Sequence, residues 1–99
     1  MVTPKSIKKN PENLESLPNV GRIIATKLRK IGIRTVSDFI ERDPYDVFDE
    51  LRTEVDPGLC RCALASIVGA RYGVKWHKVT AESTREYERR HPGHQWGKC

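Results

Sequence analysis

Long apolar runs are absent from this chain of 99 residues. No stretch approaches the roughly 20 residues that a membrane-spanning helix requires, and Met1-Val2-Thr3-Pro4-Lys5 leads into no apolar segment of the signal-peptide kind. A cytoplasmic protein with no membrane partner is expected. Cysteine is scarce and odd in number, at three, which argues against a disulfide framework. Cys60 and Cys62 are too close along a helix to bridge each other. A Cys-x-Cys pair also points its thiols about 200° apart, which is not the spacing of a zinc site. One of the two is expected in the core as a small apolar residue. Together with Cys99, His91 and His94 they leave only a thin metal or redox reading, and no metal or cofactor is expected.

Also missing is any pairing of a nucleophile with a base. Ser16, Ser37, Ser66 and Ser83 fall in caps or helices with no histidine at a related spacing, and the carboxylates lie on exposed helix faces. Neither enzyme activity nor a small-molecule substrate is expected. Hydrophobic residues make up 37% of the chain, so one modest core with polar ends is what it can bury.

What the chain has in quantity is charge, and the charge is segregated. The net value is +5. Lys5, Lys8, Lys9, Arg22, Lys27, Arg29, Lys30 and Arg34 make the first third basic. Asp38, Glu41, Asp43, Asp46, Asp49, Glu50, Glu54 and Asp56 make the middle acidic, and from Leu59 onward the chain is basic again. A dipolar molecule of this kind can turn a basic face to nucleic acid while its acidic face meets water or another protein. The competing reading is that these are ordinary solvated helix faces.

One stretch organises the rest. Leu17-Pro18-Asn19-Val20-Gly21 is an apolar tight turn that opens directly into a helix, in which Val20, Ile24, Leu28 and Ile31 form one apolar stripe and Arg22, Thr26, Lys27, Arg29 and Lys30 fill the remaining circumference. The position of Asn19 calls for positive φ, which asparagine tolerates best after glycine. Backbone amides of Val20, Gly21 and Arg22 at the helix start, with the macrodipole behind them, suit an anion such as phosphate. Pro18, Asn19, Val20, Gly21, Arg22, Lys27 and Lys30 are therefore the candidate nucleic-acid-binding residues. The competing reading is a plain turn between packed helices.

Around this turn the pattern is helical throughout. Asn10, Pro11 and Glu12 read as cap and first turn of a short helix carrying Leu14 and Leu17. The helix after the turn should stop at Gly32. Thr35 with Asp38 marks a short connector helix, whose apolar face is Val36, Phe39 and Ile40. Asp43-Pro44 starts a helix burying Val47, Phe48, Leu51 and Val55, and Asp56-Pro57 repeats the device. A helix over residues 59–72 then faces Ala63, Leu64, Ile67 and Val68 inward and closes at Gly73. Pro57-Gly58-Leu59-Cys60-Arg61 aligns with Pro18-Asn19-Val20-Gly21-Arg22 as a degenerate second hairpin, whose Cys60 disfavours phosphate approach. Trp76 should fold back as a lid on the core, with base stacking as the lesser alternative. Ser83 should cap a marginal helix through Tyr87 and Arg90, followed by a loose tail.

Leu17, Pro18, Val20, Gly21 and Ala25 resemble the helix-hairpin-helix motif, and Gly32-Ile33-Arg34-Thr35 resembles the segment after such a hairpin in DNA polymerase beta. The order of the pieces, including Arg42-Asp43-Pro44-Tyr45 and the cysteine-bearing helix, is similar to the small helix-hairpin-helix proteins of the bacterial pathogenicity-locus family. More loosely it is similar to the C-terminal domain of TfoX-type competence regulators. The resemblance covers residues 14–78 and implies an all-α, double helix-hairpin-helix fold of five short helices, associated with nucleic acid. The expected organisation is a flexible basic arm (1–9), the helical domain (10–78) and a charged C-terminal extension (79–99). The function read from all this is non-catalytic, weak, sequence-independent binding of the DNA backbone. The alternative is a protein-interaction adaptor using the acidic middle helices. DNA and RNA, duplex and single strand, stay open at this point.

Overall fold

The computed structural model describes residues 13–98. The expected basic arm, the helix start at Asn10, Pro11 and Glu12, and Cys99 lie outside the described residues. Among those residues the protein is all-α, with five α-helices, two short 3-10 turns and no strand. Several of the helix ends are set by local chemistry. The 3-10 turn Leu14–Ser16 is capped by Asn13, whose side chain accepts the Glu15 amide at 2.9 Å. Helix α1, Arg22–Lys30, gives way to Gly32 at φ +88, the left-handed exit that glycine takes without a Cβ clash.

Helix α2, Val36–Ile40, starts with a complete capping box. The Thr35 hydroxyl accepts the Asp38 amide at 3.0 Å, and the Asp38 carboxylate accepts the Arg34 and Thr35 amides at 3.1 and 3.2 Å. The Arg34 amide chiefly, and Thr35 with it, hold the Asp38 carboxyl below its ordinary range. Helix α3, Pro44–Glu54, has Asp43 as its cap, accepting the Tyr45 amide at 2.7 Å, and Pro44 at its first position. Helix α4, Arg61–Tyr72, closes at Gly73 with φ +76. A second 3-10 turn, Trp76–Lys78, leads into α5, Thr80–Arg90.

Helix α4 is the hub, packing on α3, on α5 and on the second 3-10 turn. Leu64, Ala65, Ile67, Val68 and Ala70 are its buried side chains, and Phe48, Leu51, Phe39 and Leu28 close around them in one core. The smaller residues allow the close approach of neighbours that a short helix needs to bury enough area.

The C-terminal end departs from expectation. Ser83 caps nothing. It is fully buried within α5, which starts at Thr80, and its hydroxyl donates to the Val79 carbonyl at 2.7 Å. Nor is α5 marginal. Tyr87 is fully buried, edge-on to Phe48 at 5.1 Å, and its hydroxyl donates to Asp49 at 2.9 Å while accepting from Arg52 Nε at 3.2 Å. The tail is fixed too: Trp96 packs against Phe48 and Tyr87, and its indole N–H donates to Glu88 at 2.8 Å. One aromatic ring buries as much area as several small aliphatics, so a helix with almost no apolar stripe is held by a single residue. The segment expected as an extension is thus continuous with the core.

Candidate nucleic-acid interface

The Leu17 carbonyl accepts the Val20 amide at 3.3 Å, closing a β-turn with Pro18 second and Asn19 third. Asn19 sits at φ +67, the left-handed conformation that the third position of a type II turn demands. Its side chain adds what glycine cannot. Nδ2 donates to the Val74 carbonyl at 2.8 Å and to the Ser66 carbonyl at 3.4 Å, and Oδ1 accepts the Trp76 amide at 3.1 Å. The turn is thereby latched to the end of α4 and to the second 3-10 turn. Gly69 of α4 makes the room: a Cβ there would lie 2.5 Å from the Val74 carbonyl oxygen and 2.6 Å from Asn19 Nδ2.

Past the latch, Val20 is buried and anchors the turn in the core, so only its backbone remains for a ligand. Gly21 is the N-cap of α1, extended at φ −97 and ψ −167, and no side chain caps the helix. Nothing lies within 4 Å of where its Cβ would stand. The first amides of α1 have no intrahelical acceptor by construction, and the aligned peptide dipoles add partial positive charge. Arg22 is exposed beside them. Open space, uncapped amides and a guanidinium together suit a phosphate.

The structure brings Pro18, Asn19, Gly21 and Arg22 together at this turn and leaves Lys30 exposed at the far end of α1, about 12 Å away along the axis. Lys27 has a partner within the protein. Its Nζ lies 2.7 Å from Asp56 Oδ2, with the lysine side chain only a quarter exposed. Lys27, and after it the Gly58 amide, hold the Asp56 carboxyl below its ordinary range. Asp56 opens the second turn, so Lys27 ties the two halves of the domain to each other. A contact between residues so far apart in sequence leaves no trace in helical periodicity.

The second turn repeats the hydrogen bond of the first but not its backbone, because Gly58, in the place of Asn19, lacks positive φ. Leu59 donates to the Asp56 carbonyl at 3.3 Å, and α4 begins with an uncapped, extended Cys60 at φ −102 and ψ 175, followed by Arg61. Two further things set it apart. Asp56 Oδ1 accepts the Gly58 amide at 3.0 Å, a side-chain closure the first turn lacks. The tail also covers it: a Cβ on Gly97 would overlap the Gly58 carbonyl, and the Arg61 guanidinium lies over the Trp96 ring at 5.6 Å. An anion therefore has the first turn open to it and finds the second one occupied.

Trp76 is no lid. It is 41% exposed, its backbone held by Asn19 and its ring edge-on to His77 at 5.9 Å. Pro18, Asn19, Ser66, Lys75, Trp76 and His77 line a concavity beside the first turn. The apolar role expected of Trp76 falls to Trp96. The lysines on either side of Trp76 are the one sequence signal that points to the surface.

The described residues singled out for a metal reading are Cys60, Cys62, His91 and His94. Among the described residues no group of three or more His, Cys, Asp or Glu side chains lies close enough to hold an ion. Cys60 and Cys62 are both half-buried, so neither occupies the core position expected of one of them. His91 and His94 pack on Tyr87, stacked at 4.3 Å and edge-on at 4.9 Å. No helix among the described residues is long and apolar enough to cross a membrane.

Comparison with known proteins places this geometry in context. The sequence profile of the Cdd1 family, described as a pathogenicity locus, matches residues 7–90. No curated protein matches the chain. A crystal structure of an uncharacterized protein from Listeria monocytogenes superimposes with a TM-score of 0.70 at 25% identity, covering 84% of this chain and 98% of that one.

Proposed function

The chain belongs to the Cdd1 pathogenicity-locus family, and from that premise and the turn geometry we propose that it is a non-catalytic module binding the nucleic-acid backbone without reading sequence, DNA being the expected form. The observation that carries the proposal is Gly21: an uncapped helix start, facing open space, at the tip of a turn held rigid by Asn19. A phosphate oxygen satisfies the amides that no side chain caps, and Arg22 supplies the charge. The turn resembles the helix-hairpin-helix kind, and the looser resemblances to DNA polymerase beta and TfoX-type regulators are in keeping with a phosphate-facing hairpin.

The adaptor reading has less to stand on, because much of the acidic middle is committed inside the molecule. Asp43 pairs with Arg90, Asp49 with Arg52, Glu50 with Arg42 and Asp56 with Lys27. Backbone-only recognition with about two basic side chains engaged gives weak binding and a log–log salt slope of about −2 on duplex DNA. Fluorescence anisotropy against unrelated duplex sequences across a salt series measures this. Equal affinities with that slope fit the proposal, and no binding at low salt contradicts it.

A further inference from the structure

Folding leaves one large aromatic side chain beside the candidate phosphate turn uncovered. Trp76 is 41% exposed, whereas Trp96 is partly buried against the core. The residues sharing the concavity with Trp76 are Pro18, Asn19, Ser66, Lys75 and His77, without a carboxylate among them. Lys75 and Lys78 flank it and are exposed, and neither makes an ion pair among the described residues. An indole beside lysines, with no acid among the described residues lining the concavity, matches a ligand that is flat and apolar on its faces and anionic along its edge.

The placement ties that ligand to the turn. The Trp76 amide is 3.1 Å from Asn19 Oδ1, and Gly21 follows two residues later, at most about 7 Å of chain. A strand whose phosphate sits at the Gly21 amides therefore passes the indole within a few nucleotide steps. Bases inside a duplex are stacked on each other and cannot offer a face to it. We infer that Trp76 is a stacking platform for an unpaired base, so that the preferred ligand is single-stranded nucleic acid held jointly by the Gly21–Arg22 turn and the Trp76 ring. This rests on the nucleic-acid reading above and narrows it to a substrate class.

Intrinsic fluorescence of a Trp96→Phe protein, in which Trp76 is the sole tryptophan, tests the inference with oligothymidylate and with a blunt duplex as probes. Oligothymidylate should bind and quench Trp76, and the duplex should bind more weakly without quenching. Trp76→Ala, in the otherwise unaltered protein, should lose about tenfold in affinity for oligothymidylate by anisotropy, the scale of one base–aromatic stack. Its duplex affinity should fall by less than its oligothymidylate affinity, and Trp76→Phe should recover part of the loss. Because the side chain is exposed, the variant keeps its fold, which circular dichroism checks. Equal affinity of Trp76→Ala and wild type for oligothymidylate overturns the stacking role while duplex binding leaves the broader proposal standing. Failure of both probes to bind overturns both.

Discussion

Replacing Gly69 by alanine sets two rules against each other. Residue 69 lies inside α4, where alanine is a better helix former than glycine by about 1 kcal/mol, so local propensity predicts a more stable protein. The structure predicts the reverse. The new Cβ would stand 2.5 Å from the Val74 carbonyl oxygen, which is backbone, and 2.6 Å from Asn19 Nδ2, a side-chain end held by its hydrogen bonds to Val74 and Ser66. Making room breaks the latch, whose two better hydrogen bonds, at 2.8 and 3.1 Å, contribute roughly 1 kcal/mol each. Displacing packed backbone adds about 1 to 3 kcal/mol more. Set against the propensity gain, the net loss is about 2 to 4 kcal/mol, or roughly 10 to 30 °C in melting temperature for a domain of this size. Thermal unfolding followed by circular dichroism reads it directly. Asn19→Ala should cost a similar amount, and the double variant less than the sum, because both changes remove the same latch. A Gly69→Ala protein that melts at or above the wild-type temperature would refute the latch.

Further outcomes follow from the same contacts. Lys27→Glu should lower the melting temperature by setting a carboxylate against Asp56, whereas Lys30→Glu should not; equal melting of the two would show that the Lys27–Asp56 pair does not join the halves. Trp96→Ala should destabilise by about 2 kcal/mol, discounted from the value for a fully buried tryptophan, and Trp76→Ala should cost less in the same melt. Burial chiefly, with Arg52 and His91 adding, pushes the His94 imidazole below its usual 6.5 against the smaller opposing pull of Asp49 and Glu88. The unfolded chain then binds the proton first, so stability is fully present above about pH 6.5 and falls as pH is lowered towards the folded value. His94→Gln should flatten that part of the stability profile, and a slope unchanged in the variant would reject the assignment.

Much of the fold was legible because its instructions are local. The Thr35–Asp38 box, the Asp43-Pro44 start, the exits at Gly32 and Gly73 and the left-handed Asn19 each depend on residues within four positions, so reading them needs no tertiary knowledge. The candidate turn was legible for the same reason. What escaped were choices settled across the molecule. Lys27 looks like any exposed helix lysine until Asp56 arrives from the second turn. Trp76 and Trp96 sit in equally polar surroundings, and only tertiary packing decides which one is covered. Tyr87 holds a helix whose composition reads as solvated, and Gly21 needs no special φ, since it is extended; its value to the site is the open space in front of it.

Gly21→Asp puts that space to the test more directly than any other change. The extended backbone at Gly21 suits an N-cap aspartate, whose carboxylate accepts amides of the first turn of α1, the same donors assigned to the phosphate. Stability and binding should therefore part ways. The melting temperature should hold or rise slightly, since aspartate caps a few tenths of a kcal/mol better than glycine. Affinity for single-stranded and duplex nucleic acid at low salt should fall together by tenfold or more on the scale of one lost charge-assisted phosphate contact. A folded Gly21→Asp protein that binds nucleic acid as tightly as the wild type would contradict the assignment of the turn as the phosphate site.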